Sequence, residues 1–212
     1  MHVCTINHWE AVIEELTSLI RTSGLIDVTE KIFIGTVGPK HADDIIEKSQ
    51  EIYYNPDITV AELMTIDYLH KFCIKNPHIY VWYIHTKGVG RPHISQESWR
   101  QYMSYFVIER YEDCIEALGN CDACGVDYTL PNSIVHNDHF AGNFWWANGD
   151  YVATLPPICT NGSRWSAETF IGGKSPCIIN FHTSHMRYYQ DCYPRKRYAD
   201  TKSIKSIKIK EI

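Results

Sequence analysis

The sequence predicts an α/β fold, a single domain built on a central mixed, mostly parallel sheet with helices on both faces. Three observations carry this. From residue 2 to residue 90, short β-rich runs alternate with segments of helical periodicity, the pattern of βαβ units. A length of 212 residues suits one domain with a real core. A composition of 44% hydrophobic and 21% charged residues is that of a globular chain.

Residues 2–7 alternate and read as a short strand. Trp9, Val12, Ile13, Leu16, Leu19 and Ile20 recur at helical spacing, so residues 9–22 form a helix that Ser23-Gly24 stops. The run 32–37 is a buried strand ended by Gly38-Pro39. Residues 42–51 read as helical. Thr59 and Glu62 have the spacing of a capping box, opening a helix with Leu63, Ile66, Leu69, Phe72 and Cys73 on one face. Residues 79–84 give the clearest strand, cut off by His85-Thr86-Lys87-Gly88. One long helix is expected from Ser95 to Leu118, a strand over 123–128, an extended aromatic segment over 139–146 and a short helix over 150–155. Residues 165–171 read as helical and 177–181 as a last strand. The domain spans 1–200. The Ser-Ile-Lys repeats of 201–212 form an edge strand, or a tail or linker toward further domains beyond residue 212.

Composition excludes some functions. A net charge of −5 gives no general attraction to nucleic acid or anionic lipid, so any anion site is local. No apolar run reaches the roughly 18 residues that span a bilayer. The N-terminus has no signal-peptide pattern, and eight scattered cysteines then read as reduced thiols of a cytoplasmic protein. Cys121-x-x-Cys124 lacks the second pair that zinc wants. Fourteen tyrosines and six tryptophans are more than the core needs and suit sugar faces or protein interfaces.

In α/β sheets, ligands bind at the carboxyl ends of strands. At one such end lies His85-Thr86-Lys87-Gly88, where the lysine offers a point charge for phosphate and the glycine lets backbone approach it, with Arg91 and Arg100 close in sequence. The block His139 to Tyr151 contains Asn143, Trp145 and Trp146, an amide beside rings that suits a hexose. Glu168, one helical turn after Trp165, is a candidate base. His182 and His185 follow the last strand. Each segment also has a bland reading as a polar turn, a buried aromatic strand, a surface carboxylate or a structural histidine.

In order, these segments resemble the GT-A-fold glycosyltransferases: His85-Thr86-Lys87-Gly88 after a Tyr-rich strand, Trp99-Arg100 on the next helix, Cys124-Gly125-Val126, Asn143-Phe144-Trp145-Trp146-Ala147, and Glu168. Within that family the similarity is greatest to the capsid-glycan enzymes of chlorella viruses, and it covers about residues 1–190. The resemblance implies a Rossmann-like nucleotide-binding half, a UDP-sugar donor and a glycan or glycoprotein acceptor. For a viral enzyme it also implies the host cytoplasm. It implies Thr5, Gly35, Thr36, Gly38, Thr65, Asp67, Tyr68, Lys87 and Arg91 as nucleotide contacts. Asn143, Trp145, Trp146 and Asp127 would hold the sugar, and Glu168 and Lys87 would be catalytic. It implies a divalent cation, manganese or magnesium. The sequence departs from the family in having no Asp-x-Asp, since His85-Thr86-Lys87 stands in its place. Either Lys87 neutralises the leaving diphosphate, or a metal is held by His85 with His182 or Asp127. A non-turnover nucleotide- or carbohydrate-binding module, a metal-dependent phosphoesterase and a structural virion protein are the competing expectations.

Overall fold

A computed structural model describes residues 1–130 and 138–199 together with the backbone of 207–209. The chain opens with β1 (His2–Cys4) and α1 (Trp9–Thr22), whose Trp9, Val12, Ile13, Leu16 and Ile20 form one buried stripe. Gly24, at φ +84°, turns the chain out of α1 into the short α2 (Leu25–Val28). β2 (Ile32–Val37) follows, then β3 (Ser49–Asn55).

The helix expected over 42–51 does not form. Asp44 and Lys48 adopt left-handed φ values of 51° and 61°. Glu51 accepts the Ala42 amide at 3.0 Å and meets His41 Nδ1 at 2.6 Å, so its carboxylate ties a loop across rather than stabilising a helical turn. The capping box fails as well. Asp57 captures the Thr59 amide at 2.9 Å and its hydroxyl at 2.7 Å, making a 3-10 turn over Ile58–Val60. Ala61, at φ 48°, then resets the chain. α3 (Leu63–Lys75) starts with Glu62 at its N-cap, making no side-chain cap bond.

β4 (Tyr80–Tyr83) leads to α4 (Ile94–Ser104) and α5 (Tyr111–Leu118). The sequence predicts one helix here. The structure separates the two with a π-helical stretch, Tyr105–Glu109, where the Arg110 amide reaches back to Tyr105 O. Every residue from Tyr102 to Ile108 is buried, so the end of α4 and the π-helical stretch are enclosed on all sides. Then come β5 (Ala123–Gly125), β6 (Tyr128–Thr129), β7 (His139–Phe140), β8 (Trp145–Asn148), α6 (Gly149–Thr154), α7 (Trp165–Glu168), β9 (Ile178–Asn180) and β10 (Ile207–Ile209).

β1, β2 and β3 form a parallel sheet, and a second sheet runs β10-β9-β5-β8-β4. β8 and β10 are its antiparallel members. Within the C-terminal repeats, β10 is an edge strand on β9, and the rest of 201–212 lies outside the described residues. β6 and β7 make a small separate pair. The two larger sheets meet where His2 N donates to Ile84 O at 2.9 Å and Thr86 N donates to His2 O at 3.1 Å, a parallel bridge between His2 and His85. The strand order across both is therefore β3-β2-β1-β4-β8-β5-β9-β10. The parallel members β1, β2, β3, β4, β5 and β9 end on a common carboxyl edge. One core packs α1, α4 and α5 against one face, through Leu16, Tyr102 and Leu118. A second packs α3, α6 and α7 against the other, through Ile66, Val152 and Ala167. The architecture is mixed α/β, and no helix among the described residues is long and apolar enough to cross a membrane.

Candidate functional site

The carboxyl edge gathers charge at the end of β4. Lys87 is half-buried, with Nζ 3.9 Å from the centroid of the Trp99 ring, a cation–π contact. Trp99 is stacked on its other side by Tyr188, at 4.3 Å between centroids. The backbone of Lys87 is fixed by Arg100, whose Nη1 donates to Lys87 O at 2.8 Å while its other nitrogens clasp Glu15 at 3.1 and 2.6 Å. Arg100 is therefore a structural clamp, with its charge answered by Glu15. Burial pulls the Lys87 pKa down, Glu168 and then Glu62 push it back up, and Arg164 lowers it. Among the described residues Lys87 forms no ion pair, so its charge is felt by two carboxylates without being neutralised in contact.

His85 is held from both sides. Its Nε2 meets Gly142 O at 2.9 Å, and since a carbonyl only accepts, Nε2 carries the proton. Its Nδ1 faces Glu62 Oε1 at 3.7 Å. Burial, with Lys87 adding to it, brings the His85 pKa down to about 3, so the ring is neutral at pH 7. Glu62 Oε2 accepts from Tyr83 Oη at 2.9 Å and from Asn143 Nδ2 at 2.7 Å. Asn143, at φ 61°, also accepts the Trp145 indole N–H at 2.8 Å and reaches Ala167 O at 3.4 Å. It fastens Glu62 to the α7 region, which carries Glu168.

The predicted site residues divide. Lys87, His85 and Glu168 come together, because Glu168 acts electrostatically on both of the others. Asn143 joins them through Glu62, but its amide is already committed to protein groups.

Trp145 and Trp146 require correction as sugar platforms, since both are buried, at 0% and 3% exposure. Successive strand residues point to opposite faces. Trp145 therefore stacks on Tyr83 in one core, while Trp146 donates to Val107 O at 2.8 Å in the other. The expected nucleotide contacts of β1 and β2 are likewise committed to the fold. Thr5 Oγ1 bonds Val37 O and Lys40 O at 3.2 and 2.9 Å and accepts Lys40 N at 3.1 Å. A Cβ on Gly38 would sit 2.7 Å from that hydroxyl, and one on Gly35 would collide with Thr65. Thr36 is fully buried beside Glu51. Thr65 Oγ1 pairs with His2 Nδ1 at 2.9 Å, and Asp67 pairs with Lys71 at 2.7 Å. Tyr68 lines a cleft of about 540 Å³ at the opposite, amino edge of the sheet with Phe33, Phe72 and Trp82. Arg91 is exposed in the loop after Gly88.

Asp127 lies at the end of β5 with φ 51° and is 2% exposed. Its carboxylate accepts Ser184 N at 2.6 Å and Ser184 Oγ at 2.7 Å. Burial raises its pKa. His182, whose Nδ1 meets Tyr102 Oη at 3.0 Å, is its neighbour, and burial lowers the imidazole pKa. The set His85, His182 and Asp127 does not converge. Among the described residues, three candidate donors within 4.8 Å of one another occur only at His41, Asp43 and Glu51, away from Lys87. The predicted set therefore does not fit a metal, and the donor the structure sets against His85 is Glu62.

A second cleft, of about 440 Å³, lies between α1 and the 88–97 segment, lined by His8, Glu15, Gly88, His93 and Arg100, beside Lys87 without including it. Glu62 is the residue sequence reasoning missed. It stood in a capping-box pattern, and that reading hid a carboxylate at the N-terminus of the helix leading into β4.

No curated protein and no solved structure matches the chain. A family model does match residues 7–206, nearly the whole length, and on that match the chain belongs to the family described as Domain of unknown function (DUF8361).

Proposed function

We propose that the chain is a glycosyltransferase of the GT-A type, moving a hexose or deoxyhexose such as glucose or rhamnose from a UDP-sugar to a glycan acceptor, with viral capsid glycan synthesis as the setting the resemblance suggests. The observation that carries this is Lys87: a half-buried cation without an ion-pair partner among the described residues, at the carboxyl end of a parallel strand, with Glu168 nearby. Supporting it is the β1-α1-β2-β3 half, whose parallel strands end on the same edge.

Departure of a nucleoside diphosphate leaves negative charge on phosphate and positive charge on the anomeric carbon. Lys87 answers the first charge by exchanging the Trp99 face for phosphate oxygen. Glu168 faces the second or takes the acceptor proton. Glu62, bonded by both Tyr83 and Asn143, ties the end of β4 to the loop before β8. The experiment is to mix the protein with radiolabelled UDP-sugars and a glycan acceptor and follow released UDP and labelled product. Transfer that disappears in Lys87→Ala, with the melting temperature held, supports the reading. No release with any UDP-sugar, or equal rates in parent and variant, defeats it.

A further inference from the structure

We infer that His41, Asp43 and Glu51 form a divalent-cation site that clasps the loop after β2 onto the start of β3. The three residues bring one imidazole nitrogen and two carboxylate oxygens within 4.8 Å of one another. Ala42 between the first two is buried, at 1% exposure, so His41 and Asp43 on either side of it both turn outward. Glu51 rises from β3 to meet them. Two of the donors are already oriented. The His41 ring lies flat on Tyr54, 3.7 Å between centroids, and Glu51 Oε1 accepts the Ala42 amide at 3.0 Å, which turns Oε2 toward His41 Nδ1 at 2.6 Å. That is the support metal-binding side chains require.

Two features go beyond a simple His–Glu contact. Asp43 has no hydrogen bond or ion pair to its side chain among the described residues, yet its carboxylate lies beside one already paired with His41. Beneath the group, Thr36 is fully buried next to Glu51, and its Oγ1 has no hydrogen-bond partner. An enclosed hydroxyl left unpaired marks the place of a water or an ion. A cation between the three side chains answers the second carboxylate and offers that hydroxyl a coordinated oxygen. One imidazole with two carboxylates is a donor set that manganese and zinc accept. With donor bonds of about 2.1 Å, neighbouring ligands of one ion lie roughly 3.0 to 3.4 Å apart. The His41–Glu51 pair then opens by a few tenths of an ångström, and Asp43, which is exposed, closes by rotation. The proton on His41 Nδ1 leaves to solvent as the metal enters. Water fills the remaining positions. The site lies away from Lys87, and its occupation does not depend on the transferase reading.

The test uses Mn²⁺ alone, without nucleotide, because its preference for oxygen and imidazole keeps it off the exposed Cys159 and Cys192. Free Mn²⁺ is read by electron paramagnetic resonance during titration, and folding by circular dichroism. The expected result is one Mn²⁺ per chain, weakened at least tenfold by Asp43→Asn and by His41→Gln, less by Thr36→Val, and unchanged by Glu62→Gln at the end of β4. Asp43 makes no bond the fold could lose, so Asp43→Asn should fold. If it does not, the parent decides, because bound Mn²⁺ should broaden the His41 and Tyr54 ring resonances before those of any other histidine or tyrosine. No uptake at millimolar concentration, uptake unchanged in folded Asp43→Asn, uptake lost in folded Glu62→Gln with Asp43→Asn unaffected, or broadening that spares His41 would each overturn the site. Failure of sugar transfer with this uptake intact would count against the transferase alone.

Discussion

The ends of β1 and β2 and the end of β4 share one edge of the sheet, yet they treat their polar residues in opposite ways. At β1 and β2 the threonines and glycines are enclosed by the fold: Thr5 clips the turn after β2, and Gly35 makes room for Thr65. At β4 a lysine and two carboxylates lie within electrostatic reach and do not cancel in ion pairs. Small polar residues at strand ends are thus equally good at packing and at binding, whereas a half-buried lysine held only against a ring keeps its charge free for a ligand.

Substitutions can break or sharpen that contrast. The largest effect belongs to Gly35→Ala. The new methyl would collide with Thr65 in a fully packed layer, and we expect a stability loss of roughly 3 kcal/mol by chemical denaturation. A neutral result would remove the packing role. Next is a pH effect at His2. Burial lowers its folded pKa to about 4, below the unfolded 6.5. Its contribution is therefore complete above pH 6.5 and drains away as the pH falls toward 4, by on the order of 3 kcal/mol. His2→Gln should flatten that part of the stability–pH curve. Asp127, whose pKa burial raises, works in the other direction, favouring the fold at low pH.

At the β4 end the effects move from stability to activity. Lys87→Ala should lower transfer about a hundredfold, near 2.7 kcal/mol of transition-state stabilisation, with little change in melting temperature. Loss of stability without loss of transfer would make Lys87 one more packing residue. Glu168→Gln should cost at least tenfold, about 1.4 kcal/mol, with nucleotide affinity retained. The smallest effect is Thr5→Val, about 1 kcal/mol of stability from the lost clip. A drop in UDP affinity at unchanged stability would instead return Thr5 to the binding site.

The same division explains what the sequence disclosed. α1 and β2 were legible from end to end, because amphipathic period and a Gly stop act locally. β3 was not. Its half-exposed residues carry little pattern of their own, and parallel pairing to β2 makes it a strand. The break at Tyr105–Glu109 was equally hidden. Every residue there is compatible with a regular helix, and nothing local in the sequence marks the change to π-helical bonding. Of the candidate site, Lys87 and Glu168 are the charges that the sequence singles out. Glu62 is not among them, because Asp57, five residues earlier, takes the capping role that its spacing suggested.

Among the described residues, the two larger sheets are stitched to each other by two backbone–backbone bonds, at His2 and Thr86, and by the Cys4 amide on Thr86 Oγ1 at 2.9 Å. A seam that narrow is a natural fulcrum. Rotation of one sheet against the other would strain these amides first and would change the spacing between His85 and everything carried by β1. Deuterium uptake at the Thr86 amide should then run ahead of uptake within either sheet, and a ligand spanning the junction should slow it most.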